Sequence, residues 1–155
     1  LLLRGVNDGE LDQMLDYARH VKAILQIIEL EPVNISSDYY ARYHQSLSKF
    51  EASIKGQAVS DELRHYMQNR RIYHLPNVDV EFVRPIENTE FCAHCTRLRL
   101  TSDGKLKPCL MRNDNLIDVL TPLRQGAGDE RLTEIFNEAI NKREPYFKSS
   151  VQNNR

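Results

Sequence analysis

The sequence predicts an α/β fold, and three observations carry that expectation. Apolar residues recur at helical spacing over residues 11–21, a short branched-apolar run Ile24–Leu30 follows at once, and Val78–Phe82 alternates with period two. With Leu1–Leu3 as the end of another strand, the first thirty residues read as a β-α-β unit. Such units belong to parallel sheets, as barrels or open sheets.

Taken in order, Asn7-Asp8-Gly9-Glu10 places a capping residue three positions before a carboxylate, a helix-start signal. Leu11, Met14, Leu15, Ala18 and Val21 then form one helical face. Ile24–Leu30 is closed by Pro32 and reads as a buried strand. Ser36, Ser37 and Asp38 offer a second helix start, with Tyr40, Tyr43, Leu47, Phe50 and Ile54 continuing to about Gly56 as one helix. Its Tyr39, Tyr40 and Tyr43 are expected on an amphipathic core face rather than in a cofactor-stacking box. Residues 60–69 read as a third, shorter helix, with Arg70 and Arg71 at its solvated end.

Val78, Val80 and Phe82, alternating with Asp79, Glu81 and Val83, predict a half-buried strand that stops at Pro85. A helix is expected from about Asp114 to Leu123, broken near Gly126-Ala127-Gly128. That isolated Gly-x-Gly matches a phosphate loop too poorly to be used as one. Leu132, Ile135, Phe136, Ala139 and Ile140 mark a last helix, and the polar tail after Phe147 is expected to fray.

Composition bounds the function. The 155 residues are 41% apolar and 28% charged, with six Gly and six Pro, which excludes a disordered tail, a collagen and a disulfide-dense mini-protein. Lys and Arg total 21 against 22 Asp and Glu, a net charge of -1 that gives no support to general polyanion binding. No apolar run approaches the roughly 18 residues of a membrane span. The opening Leu1–Arg4 is too short for a secretory signal. Starting in an apolar run without Met, the chain is expected to be part of a longer protein or a product trimmed from one. Three cysteines at low density point to a reducing cytoplasm rather than a disulfide scaffold.

The chemistry sits between Phe91 and Asn115. All three cysteines lie there, as Cys92-x2-Cys95-x13-Cys109, a metal-site spacing. A closed zinc site needs a fourth ligand. His94 lies inside the Cys-x-x-Cys turn and is expected to point away, and His44, His65 and His74 are distant in sequence. Three thiolates on a four-iron cluster would leave one iron open to a substrate nitrogen or oxygen.

Arg97-Leu98-Arg99-Leu100 reads as a strand and Asp103-Gly104 as a two-residue hairpin turn, with both arginines on one face about 6.6–6.8 Å apart. That turn would set Cys109 across from Leu98, so the Cys-x-x-Cys turn would have to curl back roughly 10 Å of strand to share a cluster. Residues 92–112 carry a net charge of +4 and the rest of the chain -5. Two guanidiniums beside an open iron suit an anionic ligand; equally, they could offset the charge of thiolates and cluster.

Phe91-Cys92, Cys95, Arg97, Arg99-Leu100-Thr101-Ser102-Asp103-Gly104 and Cys109-Leu110 together resemble the C-terminal part of the molybdenum cofactor biosynthesis protein A family, radical S-adenosylmethionine GTP 3′,8-cyclases. Leu3–Asp8 and Ile27-Ile28-Glu29-Leu30 with Pro32 resemble that family's late barrel strands. The resemblance implies the end of an incomplete (β/α)6 barrel over residues 1–85, an iron–sulfur and GTP-binding region with a cluster-binding hairpin over 86–147, and a flexible tail over 148–155. Carried over by position, Cys92, Cys95 and Cys109 would bind a 4Fe-4S cluster with one open iron, and Arg97, Leu98 and Arg99 would line the GTP site.

The family reaction joins C3′ of the ribose to C8 of the purine, and its product feeds cyclic pyranopterin monophosphate formation. The expected partners are therefore GTP and the cyclic pyranopterin monophosphate synthase, with a homodimer as one possible assembly and neither nucleic acid nor membrane. The Cys-x3-Cys-x2-Cys loop that cleaves S-adenosylmethionine with a second 4Fe-4S cluster is absent, so no catalytic residue falls in this chain, which alone is expected to be inactive. Glu31 stands where many relatives have Met, and Gln152–Arg155 where many end in Gly-Gly. The competing readings are an auxiliary-cluster domain of another radical enzyme and a zinc-stabilised nucleic-acid module. The second lacks a further pair of ligands and stacking aromatics between its cysteines.

Overall fold

The structure, a computed structural model, describes residues 1–86 and 88–143, Thr89 by its backbone only. It divides into two compact units, Leu1–His94 and Cys95–Arg155. The α/β class expected from the sequence holds.

In the first unit, α1 (Leu11–Val21) buries Leu15 and Ala18 and ends at Lys22 in a left-handed conformation. Asn7 does not cap it. The Asn7 side chain accepts from the Leu3 N–H at 2.8 Å and donates to the Leu1 carbonyl at 3.0 Å, closing a turn ahead of the helix. After α1 comes β1 (Leu25–Ile28). Leu1–Leu3 form no strand. Leu2 is buried and its N–H bonds the Ile28 carbonyl at 3.0 Å, but the Asn7 turn takes the chain away after that one bond.

The single helix expected over residues 37–56 is two, α2 (Ser37–Tyr43) and α3 (Ser48–Gln57). Ser36 caps α2 as expected, accepting from the Tyr39 N–H at 3.2 Å. The chain breaks at His44, whose extended backbone lets Leu47 become fully buried. In consequence α2 buries nothing, and the expected tyrosine core face is absent. Tyr39 packs on Tyr43 and Tyr40 stacks on His44, both with centroids 4.6 Å apart.

Residues 60–69 are not a helix. They hold β2 (Ser60–Arg64) and one 3-10 turn, His65–Met67, before β3 (Arg70–Leu75). Gln68 and Asn69 take positive φ angles of 63° and 55°, which reverse the chain into an antiparallel ladder from Ser60↔His74 to Arg64↔Arg70. A second turn with Asn77 at φ 64° leads to β4 (Val78–Val83), antiparallel to β3 and parallel to β1 in the order β1-β4-β3-β2. Leu15, Ile27, Ile54, Val80 and Phe82 are part of the core on one face.

β4 is buried on both faces rather than one. Glu81, 1% exposed, accepts from Arg70 at 2.8 Å, Arg64 at 2.9 Å and Gln26 at 2.5 Å. Arg70 is therefore a buried ion-pair member, not a solvated helix end, because strand pairing turns it inward; Arg71 stays exposed and pairs with Asp61. The short α4 (Thr89–Ala93) closes the unit, capped by the Asn88 side chain on the Phe91 N–H at 3.1 Å.

The second unit is a three-stranded sheet, β5 (Arg99–Leu100), β6 (Lys105–Lys107) and β7 (Ile117–Asp118) in sequence order, with α5 (Leu120–Arg124) and α6 (Asp129–Asn141). The expected helix over residues 114–123 begins only at Leu120. Ile117 is taken instead by pairing with Leu106, and the Asp118 carboxylate caps the Thr121 N–H at 3.1 Å. The break at Gly126–Gly128 and the last helix lie where the sequence puts them. Leu106, Ile117, Val119, Ile135 and Ala139 form this unit's core. The tail after Phe147 lies outside the described residues. Among the described residues no helix is long and apolar enough to cross a membrane.

Candidate metal centre and its cationic hairpin

Cys92 lies on α4, where its N–H bonds the Asn88 carbonyl at 3.2 Å, and belongs to the first unit. Cys95 opens the second unit, and Cys109 follows β6 after the fully buried Pro108. All three are half-buried and none is in a disulfide. Among the described residues no three His, Cys, Asp or Glu side chains are gathered closely enough to hold a metal ion. The donor set nevertheless fits a thiolate-held cluster in kind: three thiols in a segment rich in cations.

Each imidazole weighed as a fourth ligand has one ring nitrogen in a contact of its own. His94 turns back on its own helix, Nδ1 lying 3.0 Å from the Glu90 carbonyl and 3.7 Å from the Glu90 carboxylate. His44 pairs with Glu29 at 2.9 Å, His65 with the Asn69 side chain at 2.9 Å and His74 with Asp79 at 2.8 Å.

The hairpin differs from expectation by one residue. Arg99 pairs with Lys107 and Leu100 with Leu106, so the loop is Ser102-Asp103-Gly104, three residues and not two. The Gly104 N–H bonds the Thr101 carbonyl at 3.0 Å, and Gly104 takes φ 77°, the left-handed position that such loops require. A Cβ there would also stand 2.3 Å from the Leu120 Cβ, so only glycine fits on both counts. Counting the register outward sets Cys109 across from Arg97, not Leu98; the pairing itself ends at Arg99, and Arg97 precedes the strand.

Charge around the loop is locally spent. Lys105 donates to Asp103 at 2.8 Å and the Thr101 hydroxyl adds a second bond, which together hold the Asp103 carboxyl down at about 2. The same pair raises the Lys105 ammonium. A hydrogen bond from Arg112 likewise holds Asp114 at about 2, and Thr121 lowers Asp118. Lys107 donates to Asn113 at 2.6 Å. Among the described residues, the Arg97 and Arg99 side chains alone of the five motif cations make no hydrogen bond or ion pair. Their backbones are nonetheless fixed: the Arg97 carbonyl accepts from Arg143, and Arg99 sits in the ladder. Arg99 also lines an apolar groove of about 310 Å³ with Leu98, Leu106, Val119, Leu132 and Phe136.

The depressed Asp103 titration sets a pH window. Because the folded value lies below the usual carboxylate range, the pair's contribution is complete above about pH 4 and lost as pH falls toward 2. Asp103→Asn is expected to flatten the acid limb of thermal unfolding across that window. Melts at stepped pH check it, and an unchanged slope would show that this exposed pair contributes nothing.

Sequence reasoning missed Arg143 and Asn115, whose contacts lie far from them along the chain. Arg143 donates through Nη1 to the Cys95 carbonyl at 2.5 Å and through Nη2 to the Arg97 carbonyl. The buried Asn115 donates to the Lys142 carbonyl at 3.2 Å.

The chain matches the family described as Molybdenum Cofactor Synthesis C over residues 23–149. It is 48% identical over 147 residues to a probable GTP 3′,8-cyclase of Methanocaldococcus jannaschii, covering 95% of this chain and 47% of that protein. A probable GTP 3′,8-cyclase of Methanococcus aeolicus is 49% identical over 140 residues, 90% of this chain and 45% of that protein. One from Thermococcus kodakarensis is 43% identical over 153 residues, 95% of this chain and 50% of that protein. The chain spans about half the length of the curated relatives it matches, and the matched half is their C-terminal portion. With the family match extending through the cysteine–arginine hairpin and α6, the chain belongs to the Molybdenum Cofactor Synthesis C family.

Proposed function

We propose that this chain is the substrate-cluster half of a GTP 3′,8-cyclase, acting in the first step of molybdenum cofactor biosynthesis. Cys92, Cys95 and Cys109 hold a 4Fe-4S cluster, and Arg97, Leu98 and Arg99 line the GTP site, within a region running from residue 86 to 147. When bound, the cluster supplies an iron without a protein ligand that can accept a nitrogen or oxygen of the purine. S-adenosylmethionine and its own cluster belong to the half of the longer relatives that this chain lacks. Residues 1–85 would complete a (β/α)6 barrel with that half, in a cytoplasmic enzyme whose product passes to the cyclic pyranopterin monophosphate synthase.

The observation that carries this reading is the pair of guanidiniums. Arg97 and Arg99 have held backbones and, among the described residues, uncommitted side chains, while Lys105, Lys107 and Arg112 beside them are engaged locally. A fork of N–H donors that no acceptor among the described residues occupies suits phosphate oxygens. Only three cysteines lie in the motif and His94 beside them bonds back to Glu90, which favours a three-thiolate cluster over a closed four-ligand zinc site.

Anaerobic purification and reconstitution test the reading, with iron, sulfide and zinc measured and spectra taken before and after GTP is added. About four irons per chain and a GTP-dependent spectral change are expected. One zinc, no iron uptake and no response to GTP would replace the cyclase reading with a structural zinc module.

A further inference from the structure

Residues 95–98 lie in neither helix nor strand, since α4 ends at Ala93 and β5 begins at Arg99. No ladder holds this segment, although it carries Cys95 and Arg97. Two of its carbonyls are bonded from just beyond the end of α6. The Arg143 guanidinium reaches the Cys95 and Arg97 carbonyls together, straddling Thr96. Two acceptors on alternate residues suit a planar fork of two parallel N–H donors better than the single nitrogen of an ammonium.

The fork stands on a fixed base. The Arg143 N–H bonds the Ile140 carbonyl at 3.1 Å at the end of α6. Asn115 anchors the preceding residue through the Lys142 carbonyl. The Arg143 Nε is buried without a partner among the described residues, so the guanidinium is held at its tip alone. Removing that tip would leave the direction of residues 95–97 unset, and with it the aim of the Arg97 side chain.

We propose that Arg143 is a positioning residue for the GTP site, fixing the Cys95–Arg97 backbone so that Arg97 is held toward the ligand. This rests on the reading of Arg97 as a GTP contact. Arg143 itself touches backbone carbonyls and does not contact GTP.

The test is a double-mutant cycle in a full-length protein that includes this segment, reconstituted anaerobically, with GTP affinity measured by equilibrium dialysis and iron content alongside. Arg143→Ala is expected to weaken GTP binding roughly tenfold when affinity is compared at equal iron loading, the scale of one lost charge-assisted contact. In an Arg97→Ala background it should add less than about twofold, because there is no longer a side chain to aim. Arg143→Lys keeps the charge and the packing of the stem, guarding against simple misfolding, and is expected to bind GTP as poorly as Arg143→Ala. Glu138→Ala removes the exposed ion pair with Lys142 at the same helix end without touching Arg143 or its acceptors, and should leave affinity within about twofold.

Parental affinity in Arg143→Ala, full rescue by Arg143→Lys, or independent losses in the double variant would each overturn the positioning role while the GTP site stood. An equal loss in Glu138→Ala would reduce Arg143 to a general support of α6. Parental affinity in Arg97→Ala would remove the GTP-site reading itself, and the positioning role with it.

Discussion

Glu81→Gln is expected to destabilise the first unit by about 3–5 kcal/mol, the scale for breaking a buried ion pair from one side. The Glu81 side chain is 1% exposed and the Arg70 side chain 3%, and they meet at 2.8 Å. The amide that replaces the carboxylate brings no charge, and its NH2 faces arginine donors, so the buried Arg70 guanidinium loses the carboxylate it meets at 2.8 Å. Arg64 adds less, because its side chain is 32% exposed and partly screened by solvent. Urea denaturation followed by circular dichroism measures the change as a drop in midpoint at constant slope. Glu81→Leu combined with Arg70→Met should recover most of the loss, since an apolar pair of similar volume avoids both desolvation costs. A Glu81→Gln variant within about 1 kcal/mol of the parent would show that water reaches this site and that the pair is not buried in solution.

The same ion pair marks where the sequence stops being legible. Alternation in Val78–Val83 locates the strand correctly but implies one solvated face, and Glu81 on that face is buried because Arg64, Arg70 and Gln26 arrive from three other strands. No window around Glu81 contains those partners. Residues 60–69 fail for a related reason. Asp61, Glu62, Leu63 and Arg64 read locally as helix, but pairing with β3 overrides propensity, and the reversal depends on left-handed Gln68 and Asn69 rather than on glycine.

Elements that depend on local chemistry were readable: the Ser36 cap, the helical stripe of α1, and the Gly126–Gly128 break before α6. The site divides in the same way. Three cysteines in one short window announce themselves, and Asp103-Gly104 marks the hairpin, although the loop length is one residue greater. Arg143 carries no such signal, because its acceptors lie 46 and 48 positions away.

Arg97→Ala and Arg99→Ala, each in a full-length protein carrying this segment, are expected to lower GTP turnover at subsaturating GTP by roughly ten- to hundredfold while leaving iron content intact. The magnitude follows from about 1.5–3 kcal/mol for a hydrogen bond to a charged group, read at 1.4 kcal/mol per tenfold. Neither guanidinium has a protein acceptor among the described residues, so removing it orphans nothing in the fold, and stability should hold. Lys105→Ala supplies the contrast. Its charge is already directed at Asp103, 2.8 Å away, so turnover should stay within about twofold. If net positive charge were all that GTP required, Lys105→Ala would cost as much as either arginine variant. If the arginines only offset the charge of the thiolates, their removal would lower iron content in step with turnover. Loss of turnover at constant iron, confined to Arg97 and Arg99, therefore separates a built phosphate fork from both alternatives, and undiminished cyclisation in the two variants would remove it.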